Sequence, residues 1–389
     1  MMTGGSGLRN GCTHERLRLR PGWDDRFMAL RRKGNADPGL DVPAPRPPAV
    51  ARANGGLLPL AHLLPPPVWW VMAGGGAHGA VQLGSLQAVA ETDLPVATVL
   101  GTSAGALTGA VVAEDPVAAV NRLTYLWSDL ELSDIIGADW ASVMSPTNLA
   151  KASLADGAGE RASLAAVYRA RRFDELVLPF AAVATDLDSG QPTLLDEGEL
   201  IPALLASSAI PGVLPPVQIG GRWFIDGLAS ANLPASIAAR RGAGSLVVFD
   251  TGTSASRPTG TSLQQIVPAL NSLLAAQQRV SSLTHAAGRI PVVYLPTPAG
   301  LGGTLSFADT LANARSAYRL AQSFLIDLAD LGVSASTSLP VLAPGLYARP
   351  GSLPDHPAVA RVLKPVASAK GRGSPRAGCW SSSAGGERR

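Results

Sequence analysis

Val96-Ala97-Thr98-Val99-Leu100-Gly101-Thr102-Ser103-Ala104-Gly105-Ala106 decides how the rest of the chain is read. The apolar, β-type run Val96 to Leu100 ends in Gly101-Thr102-Ser103-Ala104-Gly105. A small-residue helical pattern follows from Ala104 to Ala113. Strand, G-x-S-x-G and helix is the context of a nucleophile elbow, in which a serine sits on a turn too tight for a side chain at either flanking glycine, Gly101 or Gly105. The helix behind it aims its unpaired N–H groups and the positive end of its dipole at the turn. The pentapeptide alone also describes an ordinary Gly/Ser turn, and 42 of the 389 residues are glycine, so its neighbours must decide.

Upstream, Val68-Trp69-Trp70-Val71-Met72 reads as a buried strand. It runs into Gly74-Gly75-Gly76-Ala77-His78-Gly79, and a helix is expected from there to about Ala90. This loop satisfies G-x-G-x-x-G, so a dinucleotide-binding module is one reading. That reading needs an acid at the end of the second strand, about 20 residues on, to hold the ribose. Counting from Gly79 reaches Val99-Leu100-Gly101, where no carboxylate stands. The glycines suit a serine better. Acyl transfer builds negative charge on a carbonyl oxygen, and side-chain-free N–H groups of Gly74, Gly75 and Gly76 can approach it closely.

A serine nucleophile needs a base. Downstream, Val217-Gln218-Ile219 and Arg222-Trp223-Phe224-Ile225 flank Gly220-Gly221 as a hairpin that delivers Asp226-Gly227. In the apolar frame Trp223-Phe224-Ile225 a carboxylate is costly to bury; a partly dry site raises its pKa and equips it to take a serine proton. His285 or His356 would instead complete a Ser-His-Asp triad of the α/β-hydrolase esterase or thioesterase kind, and His78 lies inside the glycine loop.

Hydrophobic residues make up 46% of the chain, enough for a large core, and the formal charge is +3. Residues 1–52 carry ten Lys/Arg against five Asp/Glu and residues 364–389 six against one, which leaves 53–363 at −7. An acidic body argues against nucleic acid as its partner, since a phosphate-binding face needs clustered cations. Cys12 and Cys379 stand one in each tail, and the five histidines show no ligand spacing, so neither a disulfide framework nor a metal cluster is expected. The run Leu57 to Met72 is broken by Pro59 and Pro65-Pro66-Pro67 and is too short to span a bilayer. The reading is a soluble, cytoplasmic protein, with contact to a membrane surface left open.

Residues 1–64 read as a basic, Pro-rich extension without folding capacity of its own, with Leu57, Leu58, Leu60, Leu63 and Leu64 as an apolar clip onto the body. Residues 65–335 read as the catalytic domain, and 336–389 as a C-terminal extension, disordered after about 365. Residues 115–175 read as helices inserted between core strands, placed to shape an apolar pocket. Strands are expected at 180–185, 191–195, 246–249 and 291–295, with helices at 199–207, from Pro234, at 262–287 and at 306–331. Strands alternating with helices imply an α/β fold with a mainly parallel central sheet covered on both faces.

Four separated blocks, in order, resemble the patatin-like phospholipases over about 68–240 and more loosely to 330. They are Gly74–Gly79, Gly101–Gly105, Ala182-Val183-Ala184-Thr185-Asp186-Leu187-Asp188-Ser189-Gly190, and Ala206-Ser207-Ser208-Ala209-Ile210-Pro211 leading to Asp226-Gly227. The resemblance implies a three-layer α/β/α fold and a Ser103–Asp226 dyad without histidine. It also implies an oxyanion hole in the Gly74–Gly76 loop and hydrolysis of lipid acyl esters without a metal or other cofactor. The family usually has Arg or Lys where His78 stands and Gly or Ala where Leu228 stands. The first makes any charge-based help pH-dependent; the second narrows the pocket or shifts its loop.

Overall fold

The computed structural model describes residues 57–129, 158–211, 213–252, 260, 263–304, 306–334 and 341–368. The expectations for 1–56, for 130–157 within the helical insertion, and for the tail from 369 lie outside the described residues.

Ten strands form one sheet: β1 Val68–Met72, β2 Thr98–Thr102, β3 Phe180–Asp186, β4 Pro192–Leu195, β5 Val217–Ile219, β6 Arg222–Asp226, β7 Ser245–Phe249, β8 Pro291–Tyr294, β9 Gly345–Ala348 and β10 Leu363–Pro365. Their order is β10-β9-β8-β7-β1-β2-β3-β6-β5, with β4 paired to β3. The seven strands from β10 to β3 run parallel, and β4, β5 and β6 join antiparallel. The helices that bear on the site are α1 (Ala80–Val89), α2 (Ala104–Glu114), α3 (Ala119–Asp129), α4 (Ala158–Val167), α5 (Leu200–Ser208), α6 (Leu228–Ala231), α7 (Ala235–Arg240), α8 (Leu263–Ala287) and α9 (Thr310–Ser334).

The central parallel strands are mainly apolar because both faces are covered, and alternate residues feed two cores. Trp70, Met72, Val99, Ala182, Val247 and Phe249 join the cluster that includes buried residues of α1, α2 and α9. Val71, Leu100, Ala181, Val183, Leu246 and Val248 join the one fed by α7 and α8. Among the described residues no helix is long and apolar enough to cross a membrane.

Two elements differ from the sequence reading. The sheet does not end with β8: β9 and β10 lie in the stretch read as a C-terminal extension, and β9 pairs in parallel with β8. A short run such as Gly345–Ala348, outside any helix–strand alternation, carries little periodic signal, and its sheet edge stabilises it. Residues 57–64 do pack on the body as the expected apolar clip, with Leu60, Leu63 and Leu64 buried, although Leu57 stays exposed. Pro234 is the residue before α7 rather than its first residue.

The register of β3 places the site. Val183 pairs with Thr102 of β2 on one edge and with Leu194 of β4 on the other. Ala184, one residue further, pairs with Thr193 of β4 and with Asp226 of β6. Since β4 holds the opposite edge of β3 from Ala182 to Thr185, β6 continues the β2 edge where β2 stops. The last residue of β6 therefore emerges beside the turn that ends β2.

Candidate functional site

Ser103 sits between β2 and α2 at φ 54°, ψ −127°, and it is the one non-glycine with positive φ among the described residues. That backbone is strained for an L-residue, and such strain persists only where the surroundings over-determine it. Here they do. A Cβ on Gly101 would stand 2.3 Å from the Gly105 carbonyl oxygen, and one on Gly105 would stand 2.4 Å from that of Met72. The Ser103 N–H donates to Ser207 Oγ at 2.9 Å, and Ser207 Oγ donates to the Val183 carbonyl at 2.7 Å. Thr102 Oγ1 donates to the Ala231 carbonyl at 2.8 Å.

Asp226 is 1% exposed and Ser103 6%, and both line one cavity of about 80 Å³ with Gly74, Gly75 and Gly76. Asp226 Oδ1 accepts the Leu228 N–H at 2.8 Å, while Oδ2 is buried without a hydrogen-bond partner of regular geometry. Burial pushes the carboxyl up to about 7, a rise that the Leu228 N–H and the Ser103 hydroxyl restrain. The Ala182–Gly190 block holds this aspartate from behind, since Thr185 Oγ1 donates to the Asp226 carbonyl at 2.9 Å. Gly227 must be glycine, because a Cβ there would stand 2.3 Å from the Val183 carbonyl oxygen. Leu228 lines the cavity.

The glycine loop divides its duties. The Gly74 N–H donates to the Asn232 carbonyl at 3.0 Å and the Ala77 N–H to the Thr304 carbonyl at 2.7 Å. The N–H groups of Gly75 and Gly76 donate to nothing among the described residues. Of the three glycines expected to supply oxyanion donors, Gly74 is thus already engaged and two remain free. Gly79 passes under Trp127 of α3, where a Cβ would stand 2.7 Å from the indole.

His78 is buried, absent from the cavity lining, and places Nε2 2.8 Å from the Gly302 carbonyl. A carbonyl only accepts, so Nε2 carries the proton in that bond. Burial lowers the pKa of this ring, favouring the neutral form. His356 caps a short C-terminal helix by accepting the Ala358 N–H through Nδ1, and His285 lies near Arg240 at the far end of α8. Among the described residues no histidine lines the Ser103 cavity.

The cavity's apolar wall comes from Ile210, Val213, Leu228 and Ala275. None of the described residues of α3 or α4 lines it; residues 130–157 of the 115–175 insertion lie outside the described residues. A second buried acid lies near Asp226. Glu160 of α4 accepts from Ser208 Oγ at 2.6 Å, and burial pushes its carboxyl up to about 8. Sequence reading had assigned no role to Ser207, Asn232 or Thr251. Ser207 stands in the Ala206–Pro211 block and was within reach; the other two carry no local signal.

Residues 70–239 match the family model described as patatin-like phospholipase. The chain is 30% identical over 194 residues to patatin-like phospholipase domain-containing protein 7 of Mus musculus, and 30% identical over 192 residues to domain-containing protein 6 of Homo sapiens. Each match covers 47% of this chain but 13% of the relative, so the chain spans only a small part of the length of these proteins. An uncharacterised NTE family protein of Mycobacterium bovis is 28% identical over 180 residues, 46% of either chain.

Proposed function

Residues 70–239 of the chain belong to the patatin-like phospholipase family, and on that premise we propose that the protein hydrolyses acyl esters of lipids through a Ser103–Asp226 dyad. The observation that carries this reading is a serine strained into the turn beside a buried carboxylate whose Oδ2 has no hydrogen-bond partner of regular geometry, in one cavity with two glycine N–H groups that donate to nothing among the described residues.

In the first step Ser103 Oγ bonds to the ester carbonyl carbon while its proton passes to ionised Asp226. The carbonyl electron pair moves onto oxygen, where the Gly75 and Gly76 N–H groups receive it. Collapse expels the alcohol, which takes the proton from Asp226 and leaves an acyl-serine. Water then attacks the acyl carbon, gives its proton to the same carboxylate, and releases the fatty acid as Ser103 regains its hydrogen. An Asp with pKa near 7 suits this shuttle, because it is ionised often enough to accept and acidic enough to return the proton.

Among the described residues no histidine reaches the cavity, which counts against the Ser-His-Asp alternative. The dinucleotide alternative gains nothing from a loop whose first N–H is consumed by Asn232. Phospholipids and neutral glycerides are the substrate classes proposed, met at a membrane or lipid surface. A panel of both, assayed with wild type beside Ser103→Ala, tests the reading. Fatty acid release by wild type alone supports it, and equal release by the variant overturns it.

A further inference from the structure

The Gly74–Gly75 peptide is held from one side by two side chains distant in sequence. Gly74 O accepts from Thr251 Oγ1 at 2.9 Å and from Asn232 Nδ2 at 3.2 Å. A trans peptide points its C=O and N–H in opposite directions, so whatever fixes the Gly74 oxygen also fixes the aim of the Gly75 hydrogen. Gly75 N–H is one of the two free donors of the loop.

We propose that Thr251 and Asn232 are positioning residues for the oxyanion hole: by clamping the Gly74 carbonyl they aim the Gly75 N–H at the forming oxyanion. The claim rests on the acyl hydrolase reading above and extends it to groups that touch no reacting atom. Asn232 grips the same residue twice, since its backbone carbonyl takes the Gly74 N–H while its amide donates to the Gly74 oxygen. The clamp is also steric. A Cβ on Gly75 would stand 2.4 Å from Thr251 Oγ1, and one on Gly74 would stand 2.5 Å from Asn232 Oδ1. The loop therefore lies against both side chains.

Both clamping residues are themselves anchored. The Thr251 N–H donates to Asp250 Oδ1 at 2.7 Å. Asp250 is paired with buried Arg279 at 2.5 Å and accepts the Tyr294 hydroxyl at 2.6 Å. The Asn232 N–H donates to Gln278 Oε1 at 2.6 Å, and Gln278 Nε2 donates to the Leu228 carbonyl at 2.9 Å. Arg279 and Gln278 are neighbours on α8, so one helix fixes both arms of the clamp. Gln278 also ties that clamp to the turn whose Leu228 N–H steadies Asp226.

The test is Thr251→Val, which keeps the shape and removes the donor, beside Thr251→Ser, which keeps the donor, assayed on p-nitrophenyl butyrate. Mis-aiming an oxyanion donor acts in the transition state, so kcat should fall about 10- to 100-fold in Thr251→Val with KM within about twofold. Affinity for a trifluoromethyl ketone, which forms the tetrahedral oxyanion on the serine, should fall in proportion. Thr251→Ser should restore both. A merely structural role would move neither the kcat-against-KM split nor the ketone affinity, so unchanged kcat in folded Thr251→Val overturns the proposal. Should that variant not fold, Asn232→Ala removes the other donor and takes the same test. Ser103→Ala is run in parallel to separate the two claims. If it retains turnover, or if wild type has none, the hydrolase reading and this proposal fall together; if it is dead while Thr251→Val is fully active, only the clamp falls.

Discussion

Asp226 and Asp250 make a natural experiment within one sheet. Asp226 closes β6, Asp250 directly follows β7, and each is 1% exposed. Asp250 is saturated: Arg279 pairs with it, Tyr294 and Thr251 donate to it, and it fastens the loop that carries Thr251. Asp226 has one backbone donor on Oδ1 and an Oδ2 left without regular partner, facing a serine across a small cavity. Equal burial with unequal satisfaction separates a carboxylate that holds structure from the one proposed as reactive. An unsatisfied buried charge costs stability, and a site that keeps one retains chemistry in exchange.

The largest effect should come from neutralising the reactive member. Asp226→Asn is expected to lower kcat/KM by about a thousandfold or more while the protein stays folded, measured as ester turnover beside a thermal melt. Asp250→Asn should do the reverse of a clean active-site lesion. It leaves Arg279 buried without its counter-ion, a loss of about 3–5 kcal/mol in denaturant unfolding. If both variants lose activity and stability alike, the contrast between the two aspartates is wrong.

pH should sharpen the same contrast. The proposed dyad needs Asp226 ionised, so log kcat/KM should rise with pH and level off above about 7. The stability sign runs the other way. Its folded pKa is raised from 3.8 to about 7, so below 3.8 both states are protonated and nothing is lost. Between those values the unfolded chain ionises while the folded one keeps its proton, and stability falls as pH rises. Asp226→Asn should therefore gain about 1–4 kcal/mol over wild type at pH 8 and lose that advantage by pH 4, in paired melts. The smallest effects belong to the histidines. His285→Ala and His356→Ala should leave kcat/KM within about twofold, since neither reaches the cavity.

Much of this site was legible because its local pieces are stereochemically demanding. A serine on a forced positive-φ turn requires small neighbours at Gly101 and Gly105, and a carboxylate delivered by a Gly-Gly hairpin stands out in an apolar frame. The parallel sheet followed from the alternation of strands and helices. What stayed hidden depends on distance in the fold. Thr251 and Asn232 meet Gly74 across 177 and 158 positions, and neither residue type is unusual where it stands. Nothing local reveals that the Gly74 N–H is spent on Asn232, which leaves Gly75 and Gly76 as donors. The placement of Asp226 beside Ser103 arises from β3 exchanging one neighbour for another along a single edge, a register that no spacing encodes. β9 and β10 were missed for a related reason, being short strands whose stabilisation comes from their neighbours.

The most direct test is covalent labelling with a fluorophosphonate, followed by peptide mass spectrometry and its rate. The dyad predicts one adduct, on Ser103, absent in Ser103→Ala, strongly slowed in Asp226→Asn and unchanged in His285→Ala. An adduct on another residue, or full-rate labelling of Ser103 in Asp226→Asn, would contradict it.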